Sequence, residues 1–330
     1  MCVEMFTVLD KIFLTLAGVE FIIGMLGNVF MGLVTFSEWV KNQKISLADF
    51  ILTCLAISRI TQLLVLLFES FMLGQPSCFY ATYKLAKPIT LLWRMTNHLT
   101  TWFATCLSIF YLLKIAHFSH SLFLWLKWRM NRAVLVIFVF SLLFLIFDFL
   151  LLETFNDLFF NICKIDQSNL TLYLDERKIL YVKTQILLSL TYFIPIALSL
   201  ISLLLLFLSL GRHSRNLKLN SMGSRDSSTE AHKRAMKMVM SFLFLFVVHC
   251  FFTQLTHWII MFCNSKFTKF VLLALYVFPS GHAFILILGN NKLRQTALKV
   301  LWHLKSSLKR ENPLALQDRL SRAFSKIVTQ

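Results

Sequence analysis

Residues 133–152 read AVLVIFVFSLLFLIFDFLLL, a run in which Asp148 is the single charged side chain. The run is too long for a strand. It also lacks the polar positions at helical spacing that a water-facing helix needs. At 1.5 Å per residue, a helix of about twenty residues crosses a bilayer core of roughly 30 Å. Working outward from it, six more runs meet that length: Ile12–Phe36, Leu47–Leu73, Leu85–Leu113, Thr184–Leu210, Ala235–Phe262 and Lys269–Leu288. A membrane barrel would instead show segments of about ten residues with alternating polarity. The expectation is an all-α membrane protein of seven spans, with residues 1–11 before the bundle, 12–290 forming it and 291–330 as a tail.

Composition agrees. The 330-residue chain is 57% hydrophobic with only 15% charged residues, yet its formal net charge is +17. Its mean hydropathy is +0.70, which no soluble domain sustains. A basic balance in a soluble protein would suggest nucleic acid. Here the cations lie between apolar runs, so membrane lipid with anionic headgroups is the expected partner and nucleic acid is not. The run Ile12–Val34 is too long for a signal peptide core and reads as an uncleaved first span.

Orientation follows from Lys and Arg. Lys41, Lys44, Lys114, Lys127, Arg129, Arg132, Arg212, Arg215, Lys218, Arg225, Lys233, Arg234 and Lys237 follow odd-numbered spans, as does the tail with Lys292, Arg294, Lys299, Lys305, Lys309 and Arg310. The opposite side holds most loop carboxylates, among them Glu4, Asp10, Asp157, Asp166, Asp175 and Glu176. The basic side is expected in the cytoplasm, which places the N-terminus outside and the C-terminus inside. Asn169-Leu170-Thr171 is a glycosylation triplet in the longest outer loop. Leu293, Ala297, Val300, Leu301, Leu304 and Leu308 recur at helical spacing beside basic residues, which predicts a short amphipathic helix on the inner leaflet. The loop Gly211–Lys233 is polar, and Ser227 with Glu230 forms a capping-box pattern, so the sixth helix should begin before the membrane.

Polar residues inside spans are costly, at about 2.5–3.5 kcal/mol each on insertion scales, and should face the bundle interior. Glu20, Gly24 and Asn28 share one face of the first span, and Arg59 sits halfway along the second. Arg59 should point inward and use Asn28, backbone carbonyls or Glu20. Trp93 and Asn97 share a face of the third span: a ring for area, an amide for orientation, suited to a small amphiphile. On residue type alone, interhelical packing is favoured over ligand contact for both, and His249 reads as a hydrogen-bonded core residue. Cys54, Cys106 and Cys250 lie in apolar runs; pairing among Cys2, Cys78, Cys163 and Cys263 is open. No catalytic triad, metal spacing or phosphate loop is present, so no enzyme activity and no cofactor are expected. A secondary transporter would show internal repeats and midplane carboxylates, whereas no repeat is seen and Glu20, Glu69 and Asp148 lie toward the outer side. A seven-helix receptor of another chemosensory family is the other alternative. The stretch before the first span is too short to fold around a large ligand.

Three segments resemble the bitter taste receptors, the type 2 taste receptor family. Leu55-Ala56-Ile57-Ser58-Arg59 is similar to its second-helix signature, and FATCLSIFYLLKIA at 103–116 to its third-helix signature. His282 through Asn290, HAFILILGN, is similar to its seventh-helix motif. The resemblance implies a seven-transmembrane-helix G-protein-coupled receptor bundle for small bitter ligands, coupled to a heterotrimeric, gustducin-like G protein. It implies the plasma membrane and cilia, with homo- or hetero-oligomers left open. It further implies that Glu20, Asn28, Arg59 and His282 form an activation network, that Trp93, Asn97, His249 and Leu272 line the ligand pocket, and that Tyr111, Lys114 and Lys237 face the G protein. Asn169 matches its usual glycosylated residue. Four positions depart from the family: His249 where Tyr is common, Ala283 where Ser is usual, Leu272 at a pocket position acidic in some members, and Ala86 in place of the third-helix Cys of rhodopsin-like receptors.

Overall fold

The computed structural model describes residues 8–43, 46–74, 83–116, 118–165, 171–220, 227–259 and 265–310. They form α1 (Val8–Asn42), α2 (Leu47–Gly74), α3 (Tyr83–Ile115), α4 (Ser121–Trp128), α5 (Met130–Ile165), α6 (Thr171–Asn220), α7 (Ser227–Ile259), α8 (Ser265–Gly289) and α9 (Asn291–Arg310). Seven of these, all but α4 and α9, are long and apolar enough to cross a membrane, matching the seven runs of the sequence.

Local chemistry sets several boundaries. α1 closes with Gln43 in the left-handed region at φ 49°, its N–H bonded to the Trp39 carbonyl at 3.0 Å. Three residues on, the Ser46 hydroxyl accepts from the Asp49 N–H at 3.1 Å and donates to its carboxylate at 2.7 Å, a cap that starts α2. α7 begins at Ser227, ahead of its apolar stretch, as the capping pattern implies.

The helices overrun the apolar runs, and this changes two expected loops. The long outer loop is mostly helix: α5 continues to Ile165 and α6 starts at Thr171, leaving 166–170, and with them Asn169, outside the described residues. No Gly or Pro lies in residues 153–165 or 171–183, so the helices extend past the apolar runs on both sides. Likewise α6 runs to Asn220 and α7 starts at Ser227, so much of the polar third loop is helical. The tail helix α9 is capped by Asn290, whose Oδ1 accepts from the Lys292 N–H at 3.0 Å.

The chain divides into two compact units, Met1–Ile285 and Leu286–Gln330. Within the first, α3 is the central helix, packed on α2, α5 and α6, with 72% of its most apolar stretch buried against 17% for α5. α5 therefore turns most of its surface outward, and Leu135, Val139, Phe140, Leu143 and Ile146 are all half or more exposed. In lipid such side chains need no cover. One core cluster joins α1, α2, α3 and α8 around Phe13, Leu63, Trp93 and Tyr276. A second joins α3, α6, α7 and α8 around Leu112, Leu206, Phe246 and Phe278.

Candidate functional site

Arg59 is fully buried on α2. Its Nη2 donates to His282 Nδ1 on α8, and its guanidinium stands 5.0 Å over the Phe278 ring. Arginine has donors only, so His282 Nδ1 must accept and the ring proton belongs on Nε2. The His282 ring lies 4.1 Å from that of Phe242, while His249 stacks on Phe278 at 4.3 Å and 15°. The buried arginine thus joins α2 to α7 and α8 through aromatic rings.

The expected partners of Arg59 are corrected by this geometry. Asn28 does not reach it: its Nδ2 donates to the Gly24 carbonyl at 2.8 Å and the Pro279 carbonyl at 2.9 Å. Glu20 does not reach it either, and offers its backbone carbonyl to Ser280 at 3.4 Å. Asn28 commits only its Nδ2, to backbone carbonyls of α1 and α8, and its Oδ1 is left without a partner, whereas His282 brings an acceptor to Arg59 from across the bundle. Of Glu20, Asn28, Arg59 and His282, Arg59 and His282 bond each other, while Asn28 and Glu20 each reach α8 separately, at the Pro279 carbonyl and Ser280. Ala283 is fully buried, and a Cβ on Gly27 would stand 3.2 Å from its own.

The four candidate ligand residues fall in two places. Trp93 and Leu272 meet in the apolar cluster of α1, α2, α3 and α8. Asn97 is fully buried one turn below Trp93. Its Oδ1 accepts from Gln62 at 3.3 Å, and its Nδ2 has no acceptor. His249 is also buried with neither ring nitrogen hydrogen-bonded, so the expectation of a hydrogen-bonded core histidine is not met. It lines a narrow slit with Thr101, Tyr192, Cys250, Thr253 and Gln254. Thr101 donates to the Asn97 carbonyl at 2.9 Å, so α3 carries both places on adjacent turns. The side chains leave no room in it even for a water molecule.

A pair that the sequence reading left unassigned lies behind this face. His98 Nδ1 bonds Asp148 Oδ2 on α5 at 2.7 Å, and His98 Nε2 bonds the Ser141 carbonyl at 3.0 Å. A neutral imidazole has a single N–H, so both bonds require one further proton, on the ring or on the carboxyl group. The signal was present: Asp148 is the lone charge in its run, and a lone intramembrane charge needs a partner.

At the other end of α3, Tyr111 packs at the edge of the second core cluster, and Lys114 is exposed with Nζ 5.3 Å over the Phe110 ring. Lys237 is exposed near the start of α7. Among the described cysteines, Cys54, Cys106 and Cys250 are free.

Seven apolar spans packed around a buried Arg–His contact make a seven-helix membrane bundle of the kind found in G-protein-coupled receptors. The family model for Taste receptor protein (TAS2R) matches residues 5–305. The chain is 66% identical over 316 residues to Taste receptor type 2 member 42 of Pan troglodytes, covering 94% of this chain and 100% of that one. The same identity over the same length holds for Taste receptor type 2 member 42 of Homo sapiens, again covering 94% of this chain and 100% of that one. Taste receptor type 2 member 7 of Papio hamadryas is 45% identical over 296 residues, covering 88% of this chain and 92% of that one. This chain belongs to the taste receptor type 2 family, the bitter taste receptors. It is a multi-pass membrane protein of a family of receptors, not enzymes, whose members take small molecules and couple to G proteins.

Proposed function

We propose that this receptor binds small, mostly apolar bitter compounds carrying a neutral polar group, between α3 and α8, and activates a gustducin-type G protein. The carrying observation is that Trp93 and Leu272 belong to one apolar cluster, with Trp93 one turn above Asn97, whose buried Nδ2 lacks an acceptor. An aromatic plate gives area, and an unmet amide donor rewards one acceptor on the ligand. Leu272 offers no charge, so a cation gains nothing there. Ligand that reaches down toward Thr101 meets His249, which stacks on Phe278 and so touches the Arg59–His282 contact. That chain of contacts is a route from pocket to helix movement. The exposed Lys114 and Lys237 with Tyr111 form the surface for the G protein. The N-terminus and Asn169, carrying a glycan, are outside, the basic ends are cytoplasmic, and the receptor resides at the plasma membrane, including cilia.

A calcium assay with a chimeric taste G protein tests the pocket. Burying an aromatic ring contributes about 1.5–3 kcal/mol, so Trp93→Ala should weaken a neutral agonist by about ten-fold or more. Leu272→Glu should bring in cationic analogues. Unchanged potency for Trp93→Ala at equal surface level would return that residue to packing.

A further inference from the structure

The helix α4 has no buried residue. It joins α5 through Arg129 alone, at φ −109° and ψ 28°: the Arg129 N–H reaches the Trp125 carbonyl at 3.2 Å and closes α4, and the Ala133 N–H reaches the Arg129 carbonyl at 2.9 Å and opens α5. Trp125, Trp128, Arg129 and Arg132 flank this join. Trp125 is 55% exposed and Trp128 92%, and both arginines are exposed. The Arg129 guanidinium lies 5.3 Å over the Trp125 ring. Together they line a cleft of about 830 Å³. From Ser70 to Phe147 the chain contains no Asp or Glu, and Arg132 has no hydrogen-bonding or acidic partner among the described residues.

We infer that this face is a binding site for an anionic phospholipid headgroup. The adjoining span says which partner the cleft meets. From Arg132, helical spacing along α5 leads to Leu135, Val136, Val139 and Leu143, the outward side chains of a span whose surface is mostly unburied. A face that meets acyl chains inside the bilayer meets headgroups one or two turns beyond it. Tryptophan is at home at that level, and Arg129 and Arg132, one turn apart, present two planar forks to one phosphate. Lys127 serves differently. Its Nζ donates to the Ala116 carbonyl at 2.9 Å, and Phe123 meets Phe118 edge-on at 5.0 Å, so α4 is tethered to the end of α3 and the cleft is held in place. The headgroup so bound would brace the α3–α4–α5 corner next to Lys114.

The leaflet concerned follows from the orientation given above, but the site itself can be tested independently of it, in nanodiscs with identical leaflets. The probe is fluorescence quenching by brominated phosphatidylserine or brominated phosphatidylcholine, and the local signal is the part that Trp128→Phe removes. That part should respond to the serine lipid at about ten-fold lower content than to the choline lipid, and R129Q/R132Q should erase the preference while R129K/R132K keeps some of it. A melting curve for each variant shows that the fold is retained. No preference, or a preference that survives R129Q/R132Q, overturns the site. Equal competition by soluble glycerophosphoserine would make it a free-phosphate site and overturn the lipid. Loss of G-protein activation in R129Q/R132Q with the lipid preference intact would give the face to a protein partner instead. Tag staining reads orientation separately, so failure of one does not mimic failure of the other.

Discussion

Arg59 shows what a single residue's chemistry discloses and what it hides. An arginine in an apolar run can only point inward, so its burial is legible from sequence. Its partner is not, because Asn28, Glu20 and His282 all supply acceptors and only the facing of α2 and α8 selects His282. The same holds for His98, whose meeting with Asp148 depends on how α3 and α5 are rotated. Removing one member of a buried pair strands the other, typically at about 3–5 kcal/mol, which exceeds the worth of the pair itself. Arg59→Ala and His282→Ala should therefore be non-additive, with a coupling of about 0.5–3 kcal/mol in thermal melts of purified receptor. If the contact also differs between resting and active bundles, Arg59→Ala shifts basal or maximal signalling at matched surface level. Arg59→Lys recovers part of it, because an ammonium lacks the planar fork. Additive melts would remove the contact; unaltered signalling at every agonist concentration would leave it a packing contact only.

Among elements, the seven spans are legible because bilayer thickness imposes a length that composition reveals directly. Their ends are not. The apolar signal stops where lipid stops, while α5 runs on to Ile165 and α6 starts at Thr171 with no Gly or Pro in either extension. α4 is invisible to a search by length, since eight residues cannot span and its apolar side chains remain unburied. Close packing of α1 is a further feature that only the structure reveals. A Cβ at Gly24 would lie 2.5 Å from Ser280 Oγ and 2.9 Å from Leu63 Cδ1, whereas one at Gly18 meets nothing within 4 Å. Both positions gain helix propensity from alanine, by about 1 kcal/mol. At Gly24 that gain is set against overpacking of the fully buried Leu63, at about 1–3 kcal/mol. Gly18→Ala should leave or raise the melting temperature and Gly24→Ala should lower it. Equal responses would mean that α1, α2 and α8 do not approach so closely.

For the whole molecule, orientation is decided by charges that lie outside the apolar runs. Asp10, at the start of α1, forms an ion pair with Lys269, at the start of α8, as the parallel first and last of seven spans require. That end of the bundle has no base in the last turn of α2. The opposite end has Lys41 closing α1, Lys114 closing α3, and Lys127, Arg129 and Arg132 around the α4–α5 join. Moving one positive charge outward across a potential of about 100 mV costs roughly 2.3 kcal/mol, so a cluster of cations on one side opposes inversion far more strongly than a single pair on the other favours it. An N-terminal epitope tag should therefore stain on intact cells, and a C-terminal tag only after permeabilisation. Neutralising Lys127, Arg129 and Arg132 together should leave this pattern in place, because Lys41, Lys114 and the third-loop cations still hold the same side. Staining of the C-terminal tag on intact cells, with the N-terminal tag hidden, would invert the receptor and move the Trp93–Asn97 face away from the side that meets tastants.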